Sequence, residues 1–204
     1  MTAAKRALDL AFAAAALVAL APVLLGVALW IKADSPGPVL FRQERVGRHG
    51  RPFRILKFRT MHVDAERLGP PITVGRDPRI TRAGAVLRHC KLDELPQLVN
   101  VVRGEMSLVG PRPELPGYVA LYPPAVREKV LSVAPGITDP ASLRFIDEGA
   151  ELGRAEDPAR HYVESIMPRK LAIYVDYVDR RTLWGDTAII LRTAAALVRR
   201  RARG

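Results

Sequence analysis

The N-terminal segment at residues 10–31 has the sequence LAFAAAALVALAPVLLGVALWI and contains no charged residue. As one straight helix, its 22 residues would extend about 33 Å, which is enough to cross a hydrocarbon core of about 30 Å. The segment therefore predicts association with a membrane. A single-pass anchor and a cleavable signal peptide are two simple forms of such a segment, but Pro22 directly follows the small residues Ala19 and Ala21, which disfavours cleavage.

Pro22 also predicts a particular path for this segment. It removes a backbone donor and clashes with the preceding turn, which favours a break into helices of 12 and nine residues. Basic residues flank the segment on both sides, with Lys5 before it and Lys32 after it, so charge gives no direction for a crossing. A helix that breaks at Pro22 and returns to the same side accounts for both observations. We therefore predict a re-entrant membrane helix at residues 1–33 and a catalytic domain at 34–204.

The composition excludes some classes of protein. The chain has 204 residues, 49% of them apolar, and Lys and Arg exceed Asp and Glu by 32 to 21, for a net charge of +11. Such an apolar content excludes a disordered basic tail protein. The basic excess predicts a polyanionic partner, and nucleic acid, anionic lipid and nucleotide phosphates all satisfy it. The single cysteine, Cys90, excludes an internal disulfide framework and indicates a reducing compartment.

After the apolar segment, the pattern predicts an α+β domain that is mostly helical. Residues 39–46 and 52–58 predict a small β-hairpin around Gly47 and Gly50. Helical spacing then predicts helices, several of them amphipathic and suited to a membrane interface, at 60–69, 77–103, 115–133, 158–180 and 186–203.

Cations recur at every third residue through the predicted hairpin: Arg42, Arg45, Arg48, Arg51, Arg54 and Lys57. A spacing of three matches neither the strand nor the helix period, so these charges should spread around the hairpin instead of forming one stripe. Taken alone the run is typical of a solvated face. Beside a membrane segment, lipid phosphates and a phosphorylated substrate are alternatives.

The densest group of reactive side chains lies between Arg88 and Glu94. Its adjacent carboxylates, Asp93 and Glu94, are surrounded by cations, and oxygen ligands of this kind suit Mg²⁺. Arg88 and Lys91 could hold phosphate oxygens, as a metal-assisted phosphoryl transfer requires. A solvated helix end is the plainer interpretation, because any Asp-Glu pair in a helix has this pattern.

Five further blocks give the sequence a family resemblance. They are Gly37-Pro38 with Phe41-Arg42-Gln43, Lys57-Phe58-Arg59-Thr60-Met61, Asp77-Pro78-Arg79-Ile80-Thr81-Arg82, Leu92-Asp93-Glu94-Leu95-Pro96-Gln97, and Gly104 to Glu114. In order and spacing, from the apolar segment to about Thr138, the chain resembles the bacterial sugar transferases of the small monotopic phosphoglycosyl transferase family.

The resemblance implies an enzyme of the bacterial inner (cytoplasmic) membrane with its catalytic domain on the cytoplasmic face. Such enzymes move a phosphosugar from a UDP-sugar to undecaprenyl phosphate, release UMP and use Mg²⁺, as the first membrane step of glycoconjugate biosynthesis. The family's re-entrant helix is broken at a proline, which matches Pro22.

The resemblance also implies roles for individual residues. The nucleophile that forms a covalent phosphosugar intermediate falls on Asp93, and the metal-binding carboxylate falls on Glu94. Phosphate binding falls on Arg88. The nucleotide loop falls on Pro111, Arg112 and Pro113.

Three more cations are predicted to bind substrate or are compared with the family pattern. Lys57 and Arg59 belong to the second block and are predicted to bind substrate. After Thr138 the chain departs from the commoner family pattern between Asp139 and Glu148, where Arg144 could replace an arginine of that pattern. The sequence therefore does not identify the sugar, the glycoconjugate or the oligomeric state.

A membrane-anchored basic scaffold that binds anionic lipid or nucleic acid is the alternative from another class. It explains the net charge of +11 but not the Asp-Glu pair or the Pro-Arg-Pro loop. Nucleic-acid binding also requires aromatic rings among the basic residues, and only Phe41, Phe53 and Phe58 lie there. We therefore expect no nucleic-acid partner.

Overall fold

The computed structural model of the chain describes residues 2–65, 68, 77–145 and 148–201. It confirms a mostly helical α+β fold with one long apolar N-terminal helix. The helices, in chain order, are α1 (Ala3–Asp34), α2 (Arg82–His89), α3 (Gln97–Arg103), α4 (Pro116–Ala120), α5 (Pro124–Leu131), α6 (Pro140–Arg144), α7 (Glu148–Leu152), α8 (Pro158–His161), α9 (Met167–Arg180) and α10 (Leu183–Arg201). The strands are β1 (Leu40–Val46), β2 (Pro52–Phe58), β3 (Ser107–Val109) and β4 (Gly136–Thr138).

Helix α1 is one continuous element. It begins after Thr2, whose side chain accepts a hydrogen bond from the backbone N–H of Lys5, and it continues through Pro22 to Asp34. The sequence suggested two helices separated at Pro22, and the structure differs because both halves of the segment pack on the same domain. Proline removes only one backbone donor, and packing along the full length stabilises the turns on either side. By length and composition alone, α1 could cross a membrane.

One stripe of α1 contacts the domain from end to end. Its buried residues are Asp9, Ala13, Val27 and Ile31, whose spacing keeps them on one side of the helix. The remaining surface of α1 is exposed and apolar, and Val18, for example, is 78% exposed. A helix in water has the opposite arrangement, so this surface indicates contact with lipid.

A buried polar network fixes the first turns of α1. Lys5 Nζ lies 2.9 Å from Asp9 Oδ1 and 2.8 Å from Asp186 Oδ2. Ser107 Oγ donates to Asp9 Oδ2 at 2.7 Å, and Tyr177 O–H donates to Asp186 Oδ1 at 2.8 Å. The network therefore joins α1 to β3, α9 and the start of α10.

The predicted hairpin is confirmed, and the structure adds a second sheet. Strands β1 and β2 pair antiparallel, with Arg42 opposite Leu56. Strands β3 and β4 pair parallel, and the chain beyond β3 passes so close to β4 that a Cβ on Gly136 would lie 2.1 Å from the backbone nitrogen of Gly110. This contact requires glycine and fixes the position at which the next residue, Pro111, leaves β3.

The helices beyond β3 surround the largest apolar cluster, which includes Val130, Ala141, Ile166, Leu171 and Tyr174. The helix predicted at 158–180 is confirmed as α8, a π-helical turn (Tyr162–Ile166) and α9 in direct succession.

Three other predicted helices differ in the structure. The helix at 115–133 is two short helices, because the successive prolines Pro123 and Pro124 interrupt it. The helix at 77–103 is divided into α2, a 3₁₀ turn and α3. The prediction of a helix at 60–69 is wrong for residues 60–64, since Met61 forms an antiparallel bridge with Ile80, and most of its remainder lies outside the described residues.

Candidate active site

The Asp-Glu pair occupies a 3₁₀ turn between α2 and α3. Lys91 adopts a left-handed conformation with φ of 56°, which lets the chain turn after α2 into the 3₁₀ turn Leu92–Glu94. Asp93 and Glu94 are only 8% and 9% exposed. This burial excludes the interpretation of the pair as a solvated helix end, because ionised carboxylates are removed from water only where something compensates their charge.

Two cations compensate Glu94. Lys57 Nζ, from β2, donates to Glu94 Oε1 at 2.8 Å, and Arg112 Nη2 donates to the same oxygen at 2.7 Å. Burial alone would raise the pKa of Glu94, but Arg112 and Lys57, with Lys91, outweigh it and hold that pKa well below its usual range. Glu94 is therefore an ionised carboxylate at neutral pH. Conversely, Glu94 raises the pKa of Arg112, and burial lowers the pKa of Lys57.

Asp93 has a different environment from its neighbour. Its Oδ1 is buried and has no hydrogen-bond partner among the described residues. Burial, and then the charge of Glu94, raise the pKa of Asp93, although Lys57, Lys91 and Arg88 oppose the shift. Two adjacent carboxyl groups with pKa values moved in opposite directions are typical of a catalytic site.

The donor set fits a magnesium ion. Within the described residues no group of three or more His, Cys, Asp or Glu side chains is placed to hold a metal. Mg²⁺ does not require such a group, because it is commonly held by one or two carboxylates together with substrate phosphates and water. The unpartnered Asp93 Oδ1 and the ionised Glu94 are oxygen donors of the required kind.

Arg88 approaches the pair from the last turn of α2. Its Nε donates to Thr60 Oγ1 at 2.9 Å. Burial lowers the pKa of Arg88, and the charge of Asp93 opposes that shift. The guanidinium is thus held within electrostatic reach of Asp93, where the sequence predicted a phosphate-binding group.

The Pro-Arg-Pro loop is held at both ends. Pro111 O accepts a hydrogen bond from the backbone N–H of Gly136 at 2.9 Å, and Pro113 O accepts one from Arg45 Nη1 at 3.2 Å. These bonds fix the backbone on either side of Arg112 and hold its side chain toward Glu94. The loop also borders a cleft whose lining includes Val46, Pro111, Arg112, Glu114, Tyr122 and Val130.

The structure does not bring two of the predicted cations to the carboxylates in the same way. Arg59 is buried and donates through Nη2 to Ser35 O at 2.8 Å, and through Nη1 to Pro36 O, so it fastens the exit of α1. Arg144 is exposed at the end of α6. Substrate binding by either residue stays a prediction.

Asn100 is a functional candidate that the sequence did not indicate. Its Oδ1 accepts the backbone N–H of Leu56 at 3.0 Å, and its Nδ2 donates to Arg54 O at 2.9 Å. This side chain holds β2 against α3, and therefore holds Lys57 against Glu94. The available signal was a polar residue within the apolar face of α3, where a structural role is the usual expectation.

Comparison with known proteins supplies the family. The sequence pattern of the family described as "Bacterial sugar transferase" matches residues 1–200. A UDP-glucose:undecaprenyl-phosphate glucose-1-phosphate transferase of Caulobacter vibrioides is 41% identical over 198 residues, which cover 95% of this chain and 69% of that protein.

Two further relatives differ in length from the first. The exopolysaccharide production protein PSS of Rhizobium leguminosarum bv. phaseoli is 49% identical over 198 residues, with 94% of both chains covered. An undecaprenyl-phosphate glucose phosphotransferase of Komagataeibacter xylinus is 43% identical over 195 residues, but this chain spans only 35% of its length. The match to the family pattern and the similarity to the Caulobacter protein together show that this chain belongs to the bacterial sugar transferase family.

Proposed function

We propose that this protein transfers a phosphosugar from a UDP-sugar to undecaprenyl phosphate and releases UMP, by way of a covalent intermediate on Asp93. The observation that carries the proposal is the buried pair itself. Asp93 has an unpartnered carboxylate oxygen, and Glu94 beside it is ionised between Lys57 and Arg112. The names of relatives such as the Caulobacter and Komagataeibacter proteins support this class of substrate.

In the first half of the reaction, a carboxylate oxygen of Asp93 attacks the phosphorus that bears the sugar. A bond forms between that oxygen and phosphorus, and the bond from phosphorus to the bridging oxygen of UMP breaks, so UMP leaves with the electron pair. Arg88 and Arg112 are the cations on the two sides of the pair that would neutralise the phosphate charge. The cleft beside Arg112 is the proposed place for the nucleotide.

Mg²⁺ is part of the proposal, held by Glu94 and the substrate phosphates. When bound, it would act as a Lewis acid that offsets the charge developing on the phosphate oxygens. Lys57 and Arg112 keep Glu94 ionised and oriented before any ligand arrives. An ionised, oriented carboxylate needs no deprotonation in order to bind a hard cation.

In the second half, an oxygen of undecaprenyl phosphate attacks the phosphorus of the aspartyl phosphate. The acyl phosphate bond breaks and Asp93 is restored as a carboxylate. Apolar packing supports a site at the lipid surface, because Leu92, directly before Asp93, packs in one cluster with Val27, Ile31 and Phe58. We propose that α1 lies in the cytoplasmic leaflet of the bacterial inner membrane with the catalytic domain on the cytoplasmic face.

The covalent step is tested by mass spectrometry of the protein incubated with UDP-glucose or UDP-N-acetylgalactosamine and Mg²⁺, without lipid acceptor. Wild type should gain one phosphosugar on the peptide that contains Asp93, and UMP should appear in equal amount. Asp93→Asn should form no adduct and lose about 10⁴- to 10⁶-fold in turnover. Wild-type turnover without any adduct, and with intersecting instead of parallel initial-rate lines, would show direct transfer between the substrates.

The path of α1 is tested by labelling. Both ends of α1 contact the same domain through Asp9 and Ile31, so residues before and after it should be accessible from one side. Thr2→Cys and Ala33→Cys, each in a Cys90→Ser background, should both react with a charged maleimide from the cytoplasmic side. Reaction of the two positions from opposite sides would show a crossing helix instead.

A further inference from the structure

One buried donor beside the carboxylate pair has no partner in the described structure. Gln97, the first residue of α3, is 1% exposed, and its Nε2 makes no hydrogen bond. A buried amide nitrogen without an acceptor destabilises the fold, so native structures contain few of them, and those that remain often have a functional reason. Gln97 therefore needs an explanation that packing does not provide.

The backbone places Gln97 on the same side as the two carboxylates. The N–H of Leu95 bonds to Leu92 O, and the N–H of Leu98 bonds to Leu95 O, so the helical path continues from the 3₁₀ turn into α3. Gln97 follows Asp93 by four residues and Glu94 by three. Side chains at these spacings lie on neighbouring positions of a helix surface, and a long side chain leans toward the preceding turn.

The two carboxylates differ in what they still lack. Glu94 Oε1 already accepts from Lys57 and Arg112, whereas Asp93 Oδ1 is buried and accepts nothing. One turn of helix therefore contains one unused buried donor and one unused buried acceptor. Hydrogen bonds between Gln and Asp four residues apart are a known stabilising pair on helices.

We propose that Gln97 is a positioning residue for the nucleophile: in the substrate-loaded enzyme its Nε2 donates to Asp93 Oδ1, which leaves Oδ2 to attack phosphorus. This inference rests on the proposed covalent role of Asp93. Rotation of one long side chain makes the bond, and the bond orients the attacking oxygen. The amide of Asn100, three residues further along α3, shows the contrast, because both of its polar atoms are fully used in holding β2.

The test uses Gln97→Met, which keeps the length and volume of the side chain and removes its donor. Since the change removes an unpartnered buried group, the thermal midpoint should be equal to or higher than that of wild type. The rate of adduct formation at saturating UDP-glucose, without lipid acceptor, should fall by about 10- to 100-fold, as expected for a misplaced reacting group. The KM for UDP-glucose should not change, because Gln97 acts through Asp93. Gln97→Leu is a second donor-free variant and should give the same result.

Gln43→Met is the matched control, because the same substitution is made on β1, away from the carboxylate pair, and it should keep the wild-type adduct rate. Adduct formation by Gln97→Met at the wild-type rate would overturn the inference. A loss confined to KM, or a raised Mg²⁺ concentration for half-maximal rate, would also overturn it, since the amide would then contact substrate or metal directly. Absence of any adduct in wild type would instead refute the nucleophile itself, and that result is separate because it does not involve Gln97.

Discussion

The most informative perturbation of the site is Glu94→Gln, which removes one charge and keeps the shape of the side chain. Glu94 Oε1 lies 2.8 Å from Lys57 Nζ and 2.7 Å from Arg112 Nη2. At an effective dielectric constant of about 20, each contact is worth about 6 kcal/mol of Coulomb attraction, most of which is offset by desolvation. The substitution leaves two buried cations side by side without their carboxylate.

Breaking a buried pair typically costs about 3–5 kcal/mol. Here Arg112 keeps 30% of its side chain in solvent, and Lys57 can lose its proton, so we expect a loss of about 2–3 kcal/mol. For a chain of this size that corresponds to a thermal midpoint lower by about 5–10 °C. Glu94→Gln should therefore remain folded and bound to membrane, while its turnover falls steeply because the metal-binding charge is gone.

The pH dependence of stability identifies the cause of the loss. Wild type gains stability from Glu94 above the unfolded carboxyl pKa and loses it as pH falls through the depressed folded pKa. In Glu94→Gln that contribution is absent. Lys57, whose pKa is already lowered by burial, then loses the attraction that opposed the shift. Because the unfolded chain binds the Lys57 proton more tightly, the stability of the variant should rise with pH up to the usual lysine range.

A double variant provides the decisive comparison. Adding Lys57→Met to Glu94→Gln removes one of the two uncompensated cations and should restore about 1 kcal/mol or more of stability relative to Glu94→Gln alone. Thermal unfolding in nanodiscs at several pH values measures both effects. A double variant no more stable than the single one, with the same pH dependence, would refute the assigned repulsion between Lys57 and Arg112.

Three further outcomes are expected. Arg88→Ala should lower turnover by about 10²- to 10³-fold, the usual scale for one preorganised cation at a reacting phosphate, with little change in the thermal midpoint, as measured by UMP release. Lys5→Met should cost about 3 kcal/mol or more in unfolding free energy, because it leaves the buried carboxylates of Asp9 and Asp186 together without their cation; unchanged stability would contradict the network. Gly136→Ala should prevent β4 from approaching β3 and yield little folded protein by size-exclusion chromatography, since the new Cβ would meet backbone atoms at 2.1 Å.

Local chemistry made part of this structure predictable. The hairpin followed from alternating residues around two glycines, and the pair Asp93 and Glu94 was found because carboxylates among cations are chemically conspicuous within seven residues of sequence. The family resemblance added Arg112, which the structure places 2.7 Å from Glu94. In each case the information lay within a few residues of the group concerned.

Contacts between distant parts of the chain were not predictable in this way. Lys57 meets Glu94 across 37 residues, and Ser107 meets Asp9 across 98. No periodicity encodes such pairings, so the sequence indicated neither the parallel sheet nor the network at Asp9. The path through Pro22 was misjudged for a related reason, because packing against the domain stabilises a helix that local propensity alone would interrupt.

The packing of α1 also limits how this enzyme can be re-engineered. Val27 and Ile31 complete the apolar cluster that contains Phe58 and Leu87, and Leu92 next to the nucleophile packs against the same cluster. A tether made of an attached acyl chain, or a transplanted hydrophobic helix with a different stripe, would keep the chain at the bilayer but leave this part of the core unfilled. The N-terminal helix is thus a structural component of the catalytic domain, and a water-soluble version requires redesign of its lipid-facing surface rather than deletion of the helix.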